Sequence, residues 1–258
     1  MINSREINEA TSSEKKFTIG TLVRDRSLYD SMLKRFSEAG FTEAVADYIH
    51  INNTEKNCYD GYEGVRRLIH AAKGEFVILC HEDVMPIDTR SQLEACLAEL
   101  DLHDPDWAVC GNAGGAFLGQ LAIRISDPKG EDRQLGAPFP RKVFNLDENF
   151  IVLKRSALLA PSNNLSGFHF YGTDLCLQGY ARGGSSYVID YHVRHIGGES
   201  KKSKPDLASA RSVAFKNSFQ VTKQNLINKY SRLLPGYWYE TPNARLFIYG
   251  NSLVRYLG

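Results

Sequence analysis

The sequence predicts an α/β fold in which a mixed, mainly parallel sheet is flanked by helices, followed by a helical, aromatic-rich C-terminal segment. Two observations predict it. Short runs rich in β-branched and apolar residues alternate with amphipathic stretches over the first hundred residues. This β-α-β-α-β-α order is typical of parallel strands joined by helical crossovers. In the second half, strand-like runs are separated by long irregular stretches, which is typical of a mixed sheet with functional loops.

The strands and helices of the first half follow from residue patterning. "FTIGTLV" and "DYIHI" are β-branched and apolar. Helices are predicted where apolar residues recur on one face, and each has a stop or a cap: Gly40 after the first, Lys73-Gly74 after the second, and Thr89 with Gln92 at the start of the third. The predicted strands are residues 17–23, 47–51 and 75–80, and the predicted helices are residues 27–39, 60–73 and the segment after Thr89.

The second half has less regular patterning. A helix is expected after Asp174, and a longer one from Leu207 to Tyr230. The end of the chain, "LLPGYWYETPNARLFIYG", is rich in aromatic residues and is expected to pack over the body or onto a partner. The strand candidates are residues 107–111, 121–125, 149–153 and 186–190.

Bulk composition excludes several classes of protein. The chain has 258 residues, 43% hydrophobic and 24% charged, which is ordinary for a soluble globular protein of one large or two small domains. A net charge of +1 gives no global field for nucleic acid, so no nucleic-acid partner is expected. The five cysteines form no CxxC pair, which favours a reducing, cytoplasmic compartment. Residues 1–16 are polar, without an apolar core segment, and are expected to form a flexible tail.

The stretch "GEFVILCHEDVMP" raises the first functional question, because a buried strand ends in His81-Glu82-Asp83. In parallel α/β folds ligands bind at the carboxyl ends of strands. Imidazole and carboxylate groups suit a divalent ion such as Mn²⁺ or Mg²⁺. The alternative is a solvated strand end, since charged residues are common at such positions.

Two later segments carry further candidates. In "GFHFYGTDLCLQ", Asp174 begins a helix, either as a simple cap or as an ionised carboxylate that faces a cleft and accepts a proton. In "YHVRHIGGES", His192 and His195 follow a strand, and either is a candidate metal ligand beside a carboxylate site. The following Lys201, Lys202 and Lys204 form either a phosphate contact or a solvated surface.

Taken together, these motifs resemble the family-two type of nucleotide-sugar glycosyltransferases with the GT-A fold, in particular the bacterial glycosyltransferase-like branch. The resemblance covers residues 17 to 200 and is carried by "TLVRDR", "INNT", "EGVRRLIHAAKGEFVILCHEDV", "HFYGTDLCLQ" and "HVRHIGG". The family's usual Asp-x-Asp motif reads His81-Glu82-Asp83 here, and Asn52 or Asn53 stands where the family has an aspartate after the second strand. The resemblance implies a GT-A domain at 17–205, with a nucleotide-binding half at about 17–110 and an acceptor half at about 111–205. Residues 206–258 would form a C-terminal helical extension.

The resemblance also implies an activity and a site. It implies a metal-dependent, inverting transfer of a sugar from a UDP-, GDP- or dTDP-sugar to a hydroxyl of a glycan or lipid-linked acceptor, in bacterial surface polysaccharide synthesis. Contact with the inner face of the membrane or an assembly complex would use the C-terminal segment. In the implied site, Asp174 is the general base. The implied metal ligands are Asp83, His195 and His81, and the implied nucleotide contacts are Arg24, Asp25, Asn52, Asn53 and, secondarily, Glu82.

Rival interpretations remain. A nicotinamide oxidoreductase needs a glycine-rich turn after the first strand, and "VRDRS" has no glycine. A nucleotidyltransferase would need a glycine-rich basic loop at the same place, which is also missing. Two non-enzymatic alternatives stay open: a nucleotide-sugar or glycan-binding module derived from such an enzyme, and a scaffold that docks through its aromatic C-terminal segment.

Overall fold

The structure, a computed structural model, describes residues 15–116, 120–197, 205–231, 237–241 and 244–248. The described helices are α1 (Arg26–Glu38), α2 (Gly61–Ala71), α3 (Arg90–His103), α4 (Tyr171–Ala181) and α5 (Pro205–Tyr230). The first eight strands are β1 (Phe17–Val23), β2 (Ala46–Asn52), β3 (Phe76–Cys80), β4 (Val84–Pro86), β5 (Trp107–Gly111), β6 (Ala113–Gly115), β7 (Leu121–Asp127) and β8 (Gly130–Leu135). The remaining strands are β9 (Arg141–Val143), β10 (Asn145–Leu146), β11 (Phe150–Lys154), β12 (Ser185–Val188), β13 (Val193–His195), β14 (Tyr237–Thr241) and β15 (Ala244–Ile248).

Seven strands form the main sheet, in the order β2-β1-β3-β11-β5-β12-β9. β1 pairs in parallel with β2 and β3, and β12 pairs in parallel with β5. β11 runs antiparallel between β3 and β5, and β9 is antiparallel to β12. The sheet is therefore mixed as predicted, with parallel pairing concentrated in the β-α-β-α-β half.

A second sheet has the order β10-β6-β7-β13-β4, with β8 on β7. Three residues separate the end of β3 from the start of its edge strand β4. Its neighbour β13 is antiparallel to β4 and places His195 opposite Val84. This pairing brings a late part of the chain to the end of β3.

The core lies on both faces of the main sheet. Along β3, Val77 and Leu79 contribute to the cluster that includes α2 and α4, whereas Phe76, Ile78 and Cys80 face the cluster that includes α1 and α3. All five side chains are buried. Strands buried on both faces are continuously apolar rather than alternating, which explains the "FVILC" run. Each such side chain contributes about 1.5–3 kcal/mol by leaving water.

The predicted elements of the first half are confirmed within one or two residues. Asp25 and Asp60 cap α1 and α2, and Thr89 with Gln92 forms the predicted capping box of α3. Gly40 has φ of +96°, as a left-handed helix stop requires. The four strand candidates of the second half correspond to β5, β7, β11 and β12.

The C-terminal segment is helical as far as Tyr230. In the aromatic stretch after it, the described residues form the antiparallel strands β14 and β15 and not a helix, because "YWYET" and "ARLFI" are β-prone runs. The predicted flexible tail up to residue 14 and the lysines at 201, 202 and 204 lie outside the described residues. Across the described parts of the chain, we find no helix that combines the length and apolar character needed to cross a bilayer.

Candidate functional site

Most of the predicted site residues lie at one edge of the main sheet. β1, β2 and β3 run in parallel, so their carboxyl ends meet at this edge. β11 runs the opposite way and begins at the same edge, with Phe150 opposite Cys80. The segment just before β11 therefore faces the residues just after β3, and the His81 N–H donates to the Asn149 carbonyl at 3.0 Å.

His81, Asp83 and His195 meet at this edge. A turn from His81 to Val84, closed by a 3.1 Å backbone hydrogen bond, follows β3. β13 returns beside it, and the Ile196 N–H donates to the Asp83 carbonyl at 3.0 Å. His195 Nε2 lies 3.4 Å from Asp83 Oδ2, and the ligand atoms of all three residues lie within 4.8 Å of one another. The two imidazole rings are edge to face at 6.0 Å.

Asp83 and His195 stabilise each other's charged forms, whereas the two histidines disfavour each other's. Burial alone would raise the pKa of Asp83, but the hydrogen bond and charge of His195 outweigh it and lower the pKa. Burial would lower the pKa of His195, and Asp83 reverses this to a raised pKa. Burial and the neighbouring His195 lower the pKa of His81 despite the opposing charge of Asp83. The lowered pKa favours the neutral imidazole of His81, the form that binds metals.

This cluster fits a divalent metal ion. Two imidazole nitrogens and a carboxylate, half-buried and converging, match the ligand types of Mn²⁺ and other transition ions. Mg²⁺ prefers an all-oxygen shell, so the histidines favour Mn²⁺ over Mg²⁺. The sequence left open which of His192 and His195 belongs here, and the geometry selects His195. His192 is buried elsewhere, with its Nε2 2.9 Å from the Ser126 hydroxyl.

The predicted nucleotide-contact residues lie at the same edge, but the side chains of four of the five have structural partners. Asp25 caps α1 by accepting from the Ser27 and Leu28 N–H groups. Glu82 accepts from the backbone N–H groups of Arg24 and Asp25, the latter at 2.9 Å, and so ties the β1 exit to the β3 exit. Burial raises the pKa of Glu82 although these two hydrogen bonds oppose the shift. The Arg24 side chain is exposed at this edge.

Asn52 and Asn53 end β2 beside them. The Asn52 side chain accepts from the N–H and hydroxyl of Thr54. Asn53 is buried, accepts from the Cys58 N–H at 2.8 Å and donates to the Tyr59 carbonyl at 2.9 Å. Asn53 therefore shapes the loop that follows β2, and Asn52 stays the exposed amide at the edge.

The Asp174 carboxylate is buried rather than exposed to the cleft, and its role as the general base stays a prediction. Its side chain is 0% exposed. Its two oxygens accept from the Ser162 N–H at 2.6 Å, the Ser162 hydroxyl at 2.7 Å and the Tyr230 hydroxyl at 2.6 Å. It lies in the first turn of α4 and links α4 to α5 through the Tyr230 hydroxyl. These contacts give Asp174 a structural environment.

Residues that sequence reasoning missed line the same edge. Tyr171, the first residue of α4, places its hydroxyl 3.2 Å from His81 Nε2 and donates to the Glu148 carbonyl at 3.3 Å. Glu148 and Asp147 precede β11, and both are half-buried. The available signal was the acidic pair directly before a predicted strand, since the start of an antiparallel strand lies at the same edge as the end of its neighbour.

Comparisons with known proteins find a related sequence and structurally similar proteins. No protein-family model matches the chain. The chain is 35% identical over 237 residues, 89% of each chain, to a Fuscovulum blasticum protein described as "ATP synthase subunits region ORF 6". GalNAc-T7, solved with UDP, GalNAc and Mn²⁺, superposes with a TM-score of 0.52 at 9% identity over 74% of this chain and 45% of that chain. TarS of S. aureus gives a TM-score of 0.48 at 12% identity over 70% of this chain.

The chain spans 36% of TarS and 45% of GalNAc-T7, less than half the length of either. The likeness to GalNAc-T7 is a likeness of fold, and it confirms the predicted GT-A architecture. The name of the Fuscovulum blasticum protein states no activity. The chain belongs to the family of that Fuscovulum blasticum protein and has the GT-A fold of glycosyltransferases.

Proposed function

We propose that this protein is a metal-dependent, inverting glycosyltransferase that moves a sugar from a nucleotide-sugar donor to an acceptor hydroxyl. The observation that carries the proposal is the convergence of His81, Asp83 and His195 at the carboxyl edge of the parallel strands in a GT-A fold. GalNAc-T7, which shares the fold, was solved with UDP and Mn²⁺. A nucleoside diphosphate needs charge neutralisation at such a place, and this cluster is the candidate for it.

The chemistry follows from the charges at the edge. In an inverting transfer, the acceptor oxygen bonds to the anomeric carbon while the bond from that carbon to the diphosphate oxygen breaks. The electron pair leaves with the diphosphate. A divalent ion held by Asp83, His81 and His195 would supply Lewis-acid stabilisation of that charge. The Arg24 guanidinium, exposed at the β1 exit, is placed to contact the diphosphate or the nucleotide.

The ends of β1 and β2 form the proposed nucleotide side of the site. Asn53 donates its N–H to the Val23 carbonyl at 2.7 Å, which holds the two strand exits together. Asp25, Glu82 and Asn53 are proposed to shape this surface through their internal hydrogen bonds, and Arg24 and Asn52 to contact the nucleotide directly. A UDP-, GDP- or dTDP-sugar is the proposed donor, with Mn²⁺ or Mg²⁺ as cofactor.

The acceptor and the cellular setting are part of the same proposal. A glycan or lipid-linked acceptor in bacterial surface polysaccharide synthesis is proposed from the sequence resemblance, with the reaction in the cytoplasm.

Contact with the inner membrane face would use the C-terminal segment. Co-sedimentation with phosphatidylglycerol vesicles tests that contact: the proposal expects binding by the full chain and a loss of binding on truncation after Leu233.

Ligand-dependent unfolding tests the function. Thermal unfolding would be recorded with UDP, GDP, dTDP and CMP, each with and without Mn²⁺. A ligand at one hundred times its dissociation constant stabilises by about 2.7 kcal/mol, and for a chain of this size the midpoint rises by roughly 5–10 °C. One nucleotide that stabilises only with Mn²⁺ is expected. No shift with any nucleotide would contradict the proposal.

A non-catalytic nucleotide-sugar or glycan-binding module is the second candidate. The burial of Asp174 favours it, because the carboxylate predicted to be the base is buried rather than exposed to the cleft. This candidate predicts metal-dependent nucleotide binding without release of nucleoside diphosphate from any nucleotide sugar. Measured release in a panel of donors separates the two candidates.

A further inference from the structure

The side chains at the site edge leave few groups able to accept a proton. Asp174 is buried against Ser162 and Tyr230. Asp83 lies in the proposed metal cluster, and the Glu82 carboxylate accepts the N–H groups of Arg24 and Asp25. Asp25 caps α1, which leaves Asp147 and Glu148 among the acidic residues described above at this edge.

Glu148 lies between the metal cluster and the start of α4. Its carbonyl accepts the Tyr171 hydroxyl at 3.3 Å, and that hydroxyl lies 3.2 Å from His81 Nε2. The next residue, Asn149, binds the His81 N–H through its carbonyl at 3.0 Å. Glu148 is therefore fixed one residue away from a direct backbone contact with the metal cluster, and its side chain is half-buried rather than sealed.

The start of α4 lacks a carboxylate of its own that faces the edge. A Cβ at Gly172 would lie 2.6 Å from the Leu146 carbonyl oxygen, so this position excludes any larger side chain without a backbone shift. Thr173 is fully buried, as is Asp174. Glu148, from the segment before β11, lies beside the start of α4 instead. The backbone N–H groups of Gly172 and Phe170 lie beside its carboxylate.

Asp147 is the weaker candidate. Its charge acts on both His81 and His195, so it lies within electrostatic range of the metal cluster. Its Oδ1 also accepts from the N–H and the side-chain amide of Asn149, at 3.1 and 2.5 Å. These contacts assign Asp147 to the support of the cluster and of the turn before β11.

We propose that Glu148 is the catalytic carboxylate that accepts the proton of the acceptor hydroxyl. This inference rests on the proposed transferase function. In the step, the acceptor O–H proton moves to a Glu148 oxygen as the acceptor oxygen bonds to the anomeric carbon. The bond from that carbon to the diphosphate breaks, and its electron pair leaves on the diphosphate.

The environment of Glu148 is consistent with proton transfer near neutral pH. Burial, with the charge of Asp147, raises its pKa to about 8, and the N–H groups at the start of α4 oppose that shift. A base whose pKa lies near the working pH transfers protons efficiently in both directions.

The test compares Glu148→Gln with the wild type and with Glu99→Gln, an exposed substitution of the same kind on α3. Release of nucleoside diphosphate would be measured with Mn²⁺ across UDP-, GDP- and dTDP-sugars, with water and free monosaccharides as acceptors. Mn²⁺ and UDP, GDP or dTDP affinities would be measured by calorimetry on the same proteins. We expect kcat to fall by roughly 100- to 10,000-fold for Glu148→Gln, with both affinities unchanged and Glu99→Gln equal to the wild type.

Wild-type turnover by Glu148→Gln would overturn the assignment while leaving the transferase proposal intact. Loss of Mn²⁺ affinity together with turnover would also overturn it, because Glu148 would then support the metal cluster. No release by the wild type with any donor would refute the transferase proposal itself. If Glu148→Gln does not fold, the same kinetics would be measured on Glu148→Asp. A folded Glu148→Asp variant should lose kcat by at least about tenfold at unchanged KM. An unchanged kcat would contradict the proposed role of Glu148.

Discussion

Asp83 and His195 are distant in sequence and lie 3.4 Å apart, Oδ2 to Nε2. Their contact depends on the pairing of β13 with β4, which places His195 opposite Val84. Asp83 lies between β3 of the main sheet and β4 of the second sheet. The second sheet therefore brings His195 to the end of β3, where Asp83 lies. This contact underlies the proposed metal centre.

Removal of the His195 imidazole is expected to weaken Mn²⁺ binding. Loss of even an outer partner of a metal ligand typically costs 10- to 100-fold in affinity, so His195→Ala should cost about 100-fold or more. Calorimetric titration with Mn²⁺ measures it. His192→Ala is the matched control, because His192 lies outside the cluster. Equal Mn²⁺ affinity in the two variants would argue against the assignment of His195.

The protein is expected to prefer Mn²⁺ to Mg²⁺. Two of the three clustered ligands are imidazoles, which suit transition ions better than Mg²⁺. In competition titrations, Mn²⁺ should displace Mg²⁺. The His81→Asp variant should prefer Mn²⁺ over Mg²⁺ less strongly than the wild type does, because the substitution supplies an oxygen ligand. A wild-type protein that binds Mg²⁺ more tightly than Mn²⁺ would show that the histidines are not ligands.

The hydrogen bond from the Tyr230 hydroxyl to Asp174 is expected to stabilise the fold. The bond is 2.6 Å long, and both residues are buried. Tyr230→Phe keeps the ring but removes a donor to a buried carboxylate, which should lower the free energy of unfolding by about 1.5–3 kcal/mol. Urea unfolding measures the change. Tyr180→Phe, at a side chain 48% exposed, is the control. An equal urea midpoint for Tyr230→Phe and Tyr180→Phe would mean that the hydrogen bond from Tyr230 to Asp174 does not stabilise the fold.

Asp174→Asn separates the structural role of Asp174 from the predicted catalytic one. An amide can accept through one oxygen only, so at least one of the donors now bound by the two carboxylate oxygens loses its partner. We expect lower stability and, at a temperature where the variant stays folded, turnover close to that of the wild type. Nearly complete loss of turnover in a stable variant would restore Asp174 as the base.

His192 is expected to make stability depend on pH. Burial, reinforced by Arg124, lowers its pKa below the ordinary value of 6.5, against the opposing charge of Asp88. Below pH 6.5 the unfolded chain gains a proton that folded His192 resists, so this contribution is present above pH 6.5 and is lost as pH falls towards the folded pKa. The charged groups that face His192 are Arg124, Arg194, Asp88, Glu131 and Asp132.

Urea unfolding of the wild type and of His192→Gln between pH 5 and 7 measures this contribution. The difference in unfolding free energy between the two proteins should shrink as the pH is lowered. A difference that stays constant with pH would show that His192 titrates alike in the folded and unfolded chains.

The first half of the fold was predictable because its signals are local. Helix caps such as Thr89 with Gln92, and apolar runs such as "FVILC", need only nearby residues to be recognised. His81 and Asp83 followed from the same logic, because a strand end in a parallel sheet marks the ligand edge. His195 came from the family resemblance, since the β13–β4 pairing that delivers it is not encoded in any short pattern.

The burial of Asp174 and the position of Glu148 could not be predicted from the sequence for a shared reason. The partners of Asp174 include Tyr230, 56 residues later, so its burial depends on how α5 docks. Glu148 lies in an irregular stretch whose position is set by the antiparallel return of β11 beside β3. Neither relationship has a periodic or capping signature in the sequence.

Metal-dependent nucleotide binding tests the central claim most directly. Calorimetry would compare the binding of UDP, GDP and dTDP to the wild type and to Asp83→Ala, with and without Mn²⁺. We predict that one nucleotide binds the wild type tightly only with Mn²⁺, and that Asp83→Ala removes the effect of the metal. Binding that is equally tight with and without Mn²⁺, or that is unchanged in Asp83→Ala, would contradict a metal-held diphosphate at this edge.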